Sequence, residues 1–240
     1  MSTVFFGLPS SAHAQMAAMR LPAFENTTLD GTKVPFVIEE MKVGNIRHII
    51  DYLLLHGRHS LDNGHHSDAT SQLQWAASLM DLNAGLTASP EQEAVRRAAT
   101  TVETLAQSIL SADSIAMTSA PKTLFAAHHA LARYHHSRAS ALLDQTKPNS
   151  SENRIRARKN AALHQKAGAA LSAALIHFDR ATALRAHVHD TPISQDHKTG
   201  VKETYAIVER IQLGSGTVGA EAVNASAQTL GEAIQTLRLD

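Results

Sequence analysis

Cysteine is absent from the chain. Disulfides, thiolate nucleophiles, cysteine-ligated zinc and iron–sulfur clusters are therefore excluded as single-chain features. Aromatic residues are only 4% of the 240 positions, with one tryptophan, so any core must be built largely from aliphatic side chains and alanine. No apolar run approaches the roughly 20 residues that a membrane-spanning helix needs. The longest, Ile49 to Leu55 (IIDYLLL), is interrupted by Asp51. Formal net charge is zero, which argues against a chain built mainly to coat DNA or a membrane surface. Catalytic signatures are missing too: no G-x-S-x-G, no H-E-x-x-H, no P-loop lysine and no E-x-x-H pair of a di-iron bundle. Neither an enzyme nor a resident cofactor is expected.

What is present is alanine, histidine and uneven charge. The apolar fraction of 43% is that of a globular chain, and alanine is the strongest helix former. Residues 1–119 carry 7 Lys and Arg against 12 Asp and Glu. Residues 120–190 carry 11 against 4, and residues 191–240 carry 4 against 6. A basic middle between acidic flanks suggests an intramolecular match or an acidic partner.

The amino-terminal 44 residues stand apart. Ala12-His13-Ala14 has the A-x-A form of a cleavage site, but the stretch before it has no basic residue and only a short apolar run. Residues 1–14 thus read as a targeting leader, with mitochondrial or other organelle residence favoured over a secreted or periplasmic one. Asp30-Gly31 and the β-branched VPFVI supply the chain's only strand-like material. An extended arm over 1–44 is expected, followed by a single all-α domain over 45–240.

From position 45 the apolar spacing is helical. Ile46, Ile49, Ile50, Leu53 and Leu54 share one face, with Gly57 as the expected stop. After the stretch HSLDNGHHSD, a second helix is expected to take Ser67 or Asp68 as cap, to bury Leu73, Ala76, Ala77 and Met80, and to end at Gly85. Ser89-Pro90-Glu91-Gln92 is a helix start, leading into Val95, Ala99, Val102, Ala106 and Ile109. Pro121 is expected to open a fourth helix with Leu124, His128, Leu131, His135 and Leu142 on one face. KPNSSEN (147–153) is a break, and a long helix over about 152–187 follows, spanning roughly 50 Å, with Gly168 as a point where it could split. Val201, Tyr205, Val208 and Ile211 mark a sixth helix, and Val223, Ala227, Leu230, Ile234 and Leu237 a seventh. About seven helices with short connections form a bundle or a helical-hairpin array. KAGAALSAALIHFDRATAL (166–184), with Gly168, Ala174, Phe178 and Ala181, resembles the second half of a tetratricopeptide repeat. That resemblance implies a TPR-like hairpin with Gly168 at its turn.

Gly214, Gly216 and Gly219 spell G-x-G-x-x-G. A dinucleotide fingerprint needs a strand before it and a second strand after it. TYAIVERIQ before it has helical spacing, and the 21 residues after Gly219 leave no room for that strand. A kinase glycine loop requires a lysine, a catalytic loop and a metal-binding Asp further on, which are also missing. Glu221 already sits where the next helix would present its positive end. The glycines are expected to form a sharp interhelical loop.

Fifteen histidines raise the question of metal. His128-His129 and His135-His136 repeat at a spacing of seven, about 10 Å along a helix, too far for one ion held at roughly 2 Å per ligand bond. His128 and His135 lie on the apolar stripe and are expected to pack as small aromatics. The better metal candidates are His56, His59, His65 and His66 in HGRHSLDNGHHSD. The densest basic stretch, Arg154 to Lys166, offers Arg154, Arg156, Arg158 and Lys159 to RNA or an acidic partner. Taken together, the sequence points first to a non-enzymatic structural or interaction subunit of a larger multi-subunit assembly, peripheral to an organelle complex, with other protein subunits as partners. The alternative is a His-rich metal-binding helical bundle in an exported compartment.

Overall fold

The computed structural model describes residues 40–86, 89–111, 114–146, 154–189, 201–202, 204–206, 208–209 and 220–237, without the side chains of 40–47, 114–117, 154–157, 187–189 and 220. The described part is all-α. Six helices are α1 (Glu40–Asp62), α2 (His66–Gly85), α3 (Gln92–Leu110), α4 (Ser114–Asp144), α5 (Arg154–His189) and α6 (Ala220–Thr236). The described positions within 201–209 are helical as well. The N-terminal arm, apart from residues 40–44, the break at 147–153 and the glycine loop at 213–219 lie outside the described residues. Residues 40–44 belong to α1, so the helical region begins ahead of the boundary that hydrophobic spacing suggests.

Helices follow one another as antiparallel hairpins. Gly57 of α1 meets Leu73 of α2, two positions equally far from the intervening turn. The Thr70 hydroxyl donates to the Ala106 carbonyl (3.3 Å) across α2 and α3, again symmetric about their connection. α4 packs on both α3 and α5, and α6 packs on α4 and α5. The core is aliphatic and alanine-rich, with Leu54, Leu73, Met80, Leu124, Leu131, Leu171, Leu175, Phe178 and Leu230 fully buried. Small residues such as Ala76, Ala99, Ala127, Ala170 and Ala174 lie among them and let the backbones approach. Tyr134, completely buried on α4, donates to the Asn83 carbonyl (2.8 Å). Carbonyls in the last turn of a helix have no partner within it, so this contact joins α4 to the end of α2.

Three punctuation readings are overturned. Gly57 does not end α1; it lies buried inside it, and a Cβ there would sit 2.8 Å from Leu73 Cγ and Cδ2. The actual stop is Gly64, at φ +74°. Its N–H donates to the Leu61 carbonyl (3.0 Å) and that of His65 to the Ser60 carbonyl (2.8 Å). This is the paired closure in which a left-handed residue satisfies the last helical carbonyls. Pro121 does not open α4 but lies within it. Gly168 does not split α5, which runs 36 residues, roughly 54 Å at 1.5 Å rise, without interruption. The turn implied by the repeat resemblance is therefore absent at that glycine. The expected caps on α2 also fail: its first turn starts after His65, which makes no side-chain cap bond. Ser89 behaves as expected in kind, its Oγ accepting the Glu91 N–H (3.2 Å) just ahead of α3.

Candidate metal centre

Asp51, the acid that interrupts the apolar run of α1, is the starting point. Its neighbours Ile50, Leu53 and Leu54 are buried, and helical spacing turns position 51 to the edge of that face. The Asp51 side chain is 15% exposed. On α4, His128 occupies the stripe between Leu124 and Leu131 and is buried. On α5, His177 lies in the seam between Ala174 and Ala181 and is also buried. One ligand atom from each of Asp51, His128 and His177 lies within 4.8 Å of the others.

The two imidazoles already touch. His128 Nδ1 and His177 Nδ1 are 3.0 Å apart, so one ring donates and the other accepts. His135, one heptad along α4, stacks on His177 with centroids 5.6 Å apart and planes at 9°. Burial lowers the His128 pKa well below the ordinary imidazole range, and the nearby His177, Arg180 and Arg58 lower it further. His128 is accordingly neutral at pH 7, the form that can ligate a metal. Arg180 holds Asp51 from the outer side, Nε to Oδ1 at 3.2 Å and Nη2 to Oδ2 at 3.4 Å. Beside it, the Tyr205 hydroxyl donates to Asp179 Oδ2 at 2.5 Å. Loss of hydration raises the Asp179 pKa, with Tyr205 and Arg180 opposing, while the Tyr205 phenol is pushed strongly upward by burial and by the same bond.

The donor set suits a divalent first-row transition ion. Two imidazoles and one carboxylate form both the three-ligand arrangement of zinc sites that keep an open position and the facial triad of non-haem iron. At bond lengths of about 2.05 Å, tetrahedral ligand atoms stand ~3.3 Å apart. The histidine nitrogens, at 3.0 Å, need to open by only a few tenths of an ångström. The carboxylate oxygen, within 4.8 Å, needs to close by ~1.5 Å at most, a side-chain adjustment.

The histidines favoured on sequence density do not form a comparable group among the described residues. His56 packs against Tyr52 with tilted rings (centroids 4.0 Å), and its pKa is lowered by burial and by His59. His59 is exposed and bonds Asn63 (3.1 Å). His65 and His66 are exposed at the turn into α2. The loop is not long enough to return them, because α1 continues to Asp62. In the basic stretch, Arg158 and Lys159 are exposed on the first turns of α5, while the side chains of Arg154 and Arg156 lie outside the described residues. His177 is not among the sequence candidates, although it shares the seam of Ala170, Ala174 and Ala181. A histidine at a seam position was the available signal.

No protein-family model, curated protein or solved structure matches this chain.

Proposed function

We propose that the chain is a metal-binding helical bundle that takes one divalent first-row transition ion, zinc by default, at Asp51, His128 and His177. The observation that supports this is the convergence of two buried imidazoles and a carboxylate from three separate helices within 4.8 Å. Buried polar side chains otherwise favour apolar replacement, and an ion shared between three helices gives them a common purpose. To ligate through Nδ1, the ring that donates in the His128–His177 contact moves its proton to Nε2; the bound ion would keep one open coordination position, where zinc supplies Lewis acidity. The test is metal analysis and native mass spectrometry on purified protein dialysed against zinc. The reading expects one ion per chain, lost in His128→Ala and His177→Ala and retained in His59→Ala. Zinc uptake unaffected by the first two variants refutes it.

A second reading, a non-enzymatic subunit of a multi-subunit assembly with other protein subunits as partners, is favoured by large apolar side chains on neighbouring helices. Trp75 of α2 is 52% exposed and Leu110 of α3 is 67% exposed. The exposed Arg158 and Lys159 would suit an acidic partner or RNA. This reading expects the chain to be recovered from its source only in a heteromeric complex, and a free monomer or homo-oligomer in native mass spectrometry rejects it. Among the described residues no helix is long and apolar enough to cross a membrane.

A further inference from the structure

We infer that Arg180 is a built-in competitor for the ion, a guanidinium that neutralises Asp51 and surrenders it when a divalent cation binds, so that occupancy of the site is reversible. The inference rests on the metal-binding reading above and names how that site is regulated.

The geometry places three kinds of charge on one carboxylate. Asp51 faces the His128–His177 pair on its inner side and Arg180 on its outer side, through two bonds of 3.2 and 3.4 Å. A divalent ion coordinated by Asp51 and a guanidinium bonded to the same carboxylate are two cations a few ångströms apart. Their repulsion is large in a partly buried site, and the bond to Arg180 also withdraws electron density from the oxygen that would ligate.

Arg180 is also placed to leave. Its side chain is 42% exposed, whereas that of Asp51 is 15% exposed, so the guanidinium can turn to water at little desolvation cost while the carboxylate stays. A second acid lies next to it in sequence, Asp179, held by Tyr205 and within the electrostatic reach of Arg180. Asp51 can therefore have a cationic partner in two ways: Arg180, or the ion with Arg180 turned toward Asp179 and solvent. A permanent structural ion would be better served by an uncharged hydrogen-bond donor at position 180, which orients the carboxylate without opposing the metal. An arginine there makes binding weaker and exchange easier, as a protein that senses, buffers or hands on a metal requires.

The experiment compares zinc affinity, by competition with a chromophoric chelator at one neutral pH, for wild type, Arg180→Gln and Arg180→Lys. Circular dichroism and thermal unfolding with and without zinc accompany each. The expected result is ~10-fold or tighter binding by Arg180→Gln, with Arg180→Lys within about threefold of wild type, because charge and not the fork geometry opposes the ion. Arg180→Gln is also expected to unfold at a lower temperature than wild type without zinc and to recover most of that loss with zinc. Wild-type binding accompanied by equal or weaker binding in Arg180→Gln overturns the inference, since Arg180 then orients Asp51 instead of competing for it; the metal reading survives that outcome. Absence of binding in all three proteins removes the metal reading and the inference with it. An Arg180→Gln chain that is unfolded both with and without zinc also overturns the inference, because the ion then fails to replace the guanidinium.

Discussion

Gly231→Ala is expected to destabilise the protein, against the usual sign of such a change in a helix. Gly231 lies inside α6, where alanine ordinarily gains about 1 kcal/mol over glycine. The site is occupied from outside by His136 of α4. A Cβ at position 231 would lie 2.7 Å from His136 Cε1 and 2.8 Å from Nε2, while ordinary contact begins near ~3.4 Å. The ring is rigid and anchored, its Nε2 donating to the Ala227 carbonyl at 2.6 Å, so retreat loses that bond. Losing it costs about 0.5–1.5 kcal/mol, and the forced repacking about 1–3 kcal/mol. Set against the helix gain, the net loss is about 2 kcal/mol, or roughly 4–8 °C in melting temperature for a chain of this size. Urea unfolding followed by far-UV circular dichroism reads the change. The mechanism makes a second demand: in a His136→Ala background the steric partner is gone, and Gly231→Ala should then stabilise by about 1 kcal/mol. A Gly231→Ala protein that is more stable than wild type, or an effect of equal sign in both backgrounds, would refute the reasoning.

Two further outcomes follow from the same physics. Gly57→Ala pushes a methyl against Leu73 Cγ and Cδ2 at 2.8 Å. Leu73 is fully buried and Cγ is a branch point with no freedom to swing away, so a net loss of about 1–2 kcal/mol is expected in the urea midpoint; a gain contradicts the close approach of α1 and α2. Stability should also fall on mild acidification in the presence of chelator. Burial lowers His128 and His129 below the ordinary imidazole value of about 6.5, so below about pH 6.5 the unfolded chain binds protons that the folded one refuses. The contribution is complete above that value and declines as pH drops through it toward the folded values. Thermal unfolding near pH 7.5 and near pH 5.5 checks it, and an equal or higher melting temperature at the lower pH counts against these rings being buried neutral.

Hydrophobic spacing carried the fold wherever a helix has one clear apolar stripe. Val95, Ala99, Val102, Ala106 and Ile109 of α3 are all buried, as are Val223, Ala227, Leu230, Ile234 and Leu237 at the end of the chain. Punctuation was less readable. A glycine that stops a helix and a glycine that admits a neighbour carry the same letter; what separates Gly64 from Gly57 is a left-handed φ in one case and Leu73 in the other. Proline at 121 suits a first turn, yet α4 extends back to Ser114. The candidate site was half legible. Asp51 announces itself as an acid within the most apolar run, and His128 as a polar residue on an apolar stripe. Their meeting with His177 depends on the α4–α5 hairpin, which local spacing does not encode. The dense cluster at 56–66 misled for the converse reason: nearness in sequence placed His65 and His66 on an exposed turn and not beside His56.

The histidine doublets of α4 show why count is a poor guide and geometry a good one. Adjacent residues on a helix point about 100° apart, so each doublet serves two neighbours. His128 and His135 turn to α5, where they meet His177. His129 and His136 turn to α6, where their Nε2 atoms engage the carbonyls of Ile234 (2.9 Å) and Ala227 (2.6 Å). The heptad spacing on α4 is matched by a heptad spacing of carbonyls on α6 in the reverse order, which fixes the two helices antiparallel. Four of the histidines are thereby engaged in packing two interfaces before any metal is considered. Among the described residues a carboxylate comes within ligand distance of them on the α5 side, and it comes from α1. The metal reading therefore depends on Asp51 more than on the richness in histidine: with Asp51 changed to Asn, His128 and His177 would remain a buried imidazole pair, the guanidinium of Arg180 would lose its partner, and the ion would lose the one anionic ligand that offsets its charge.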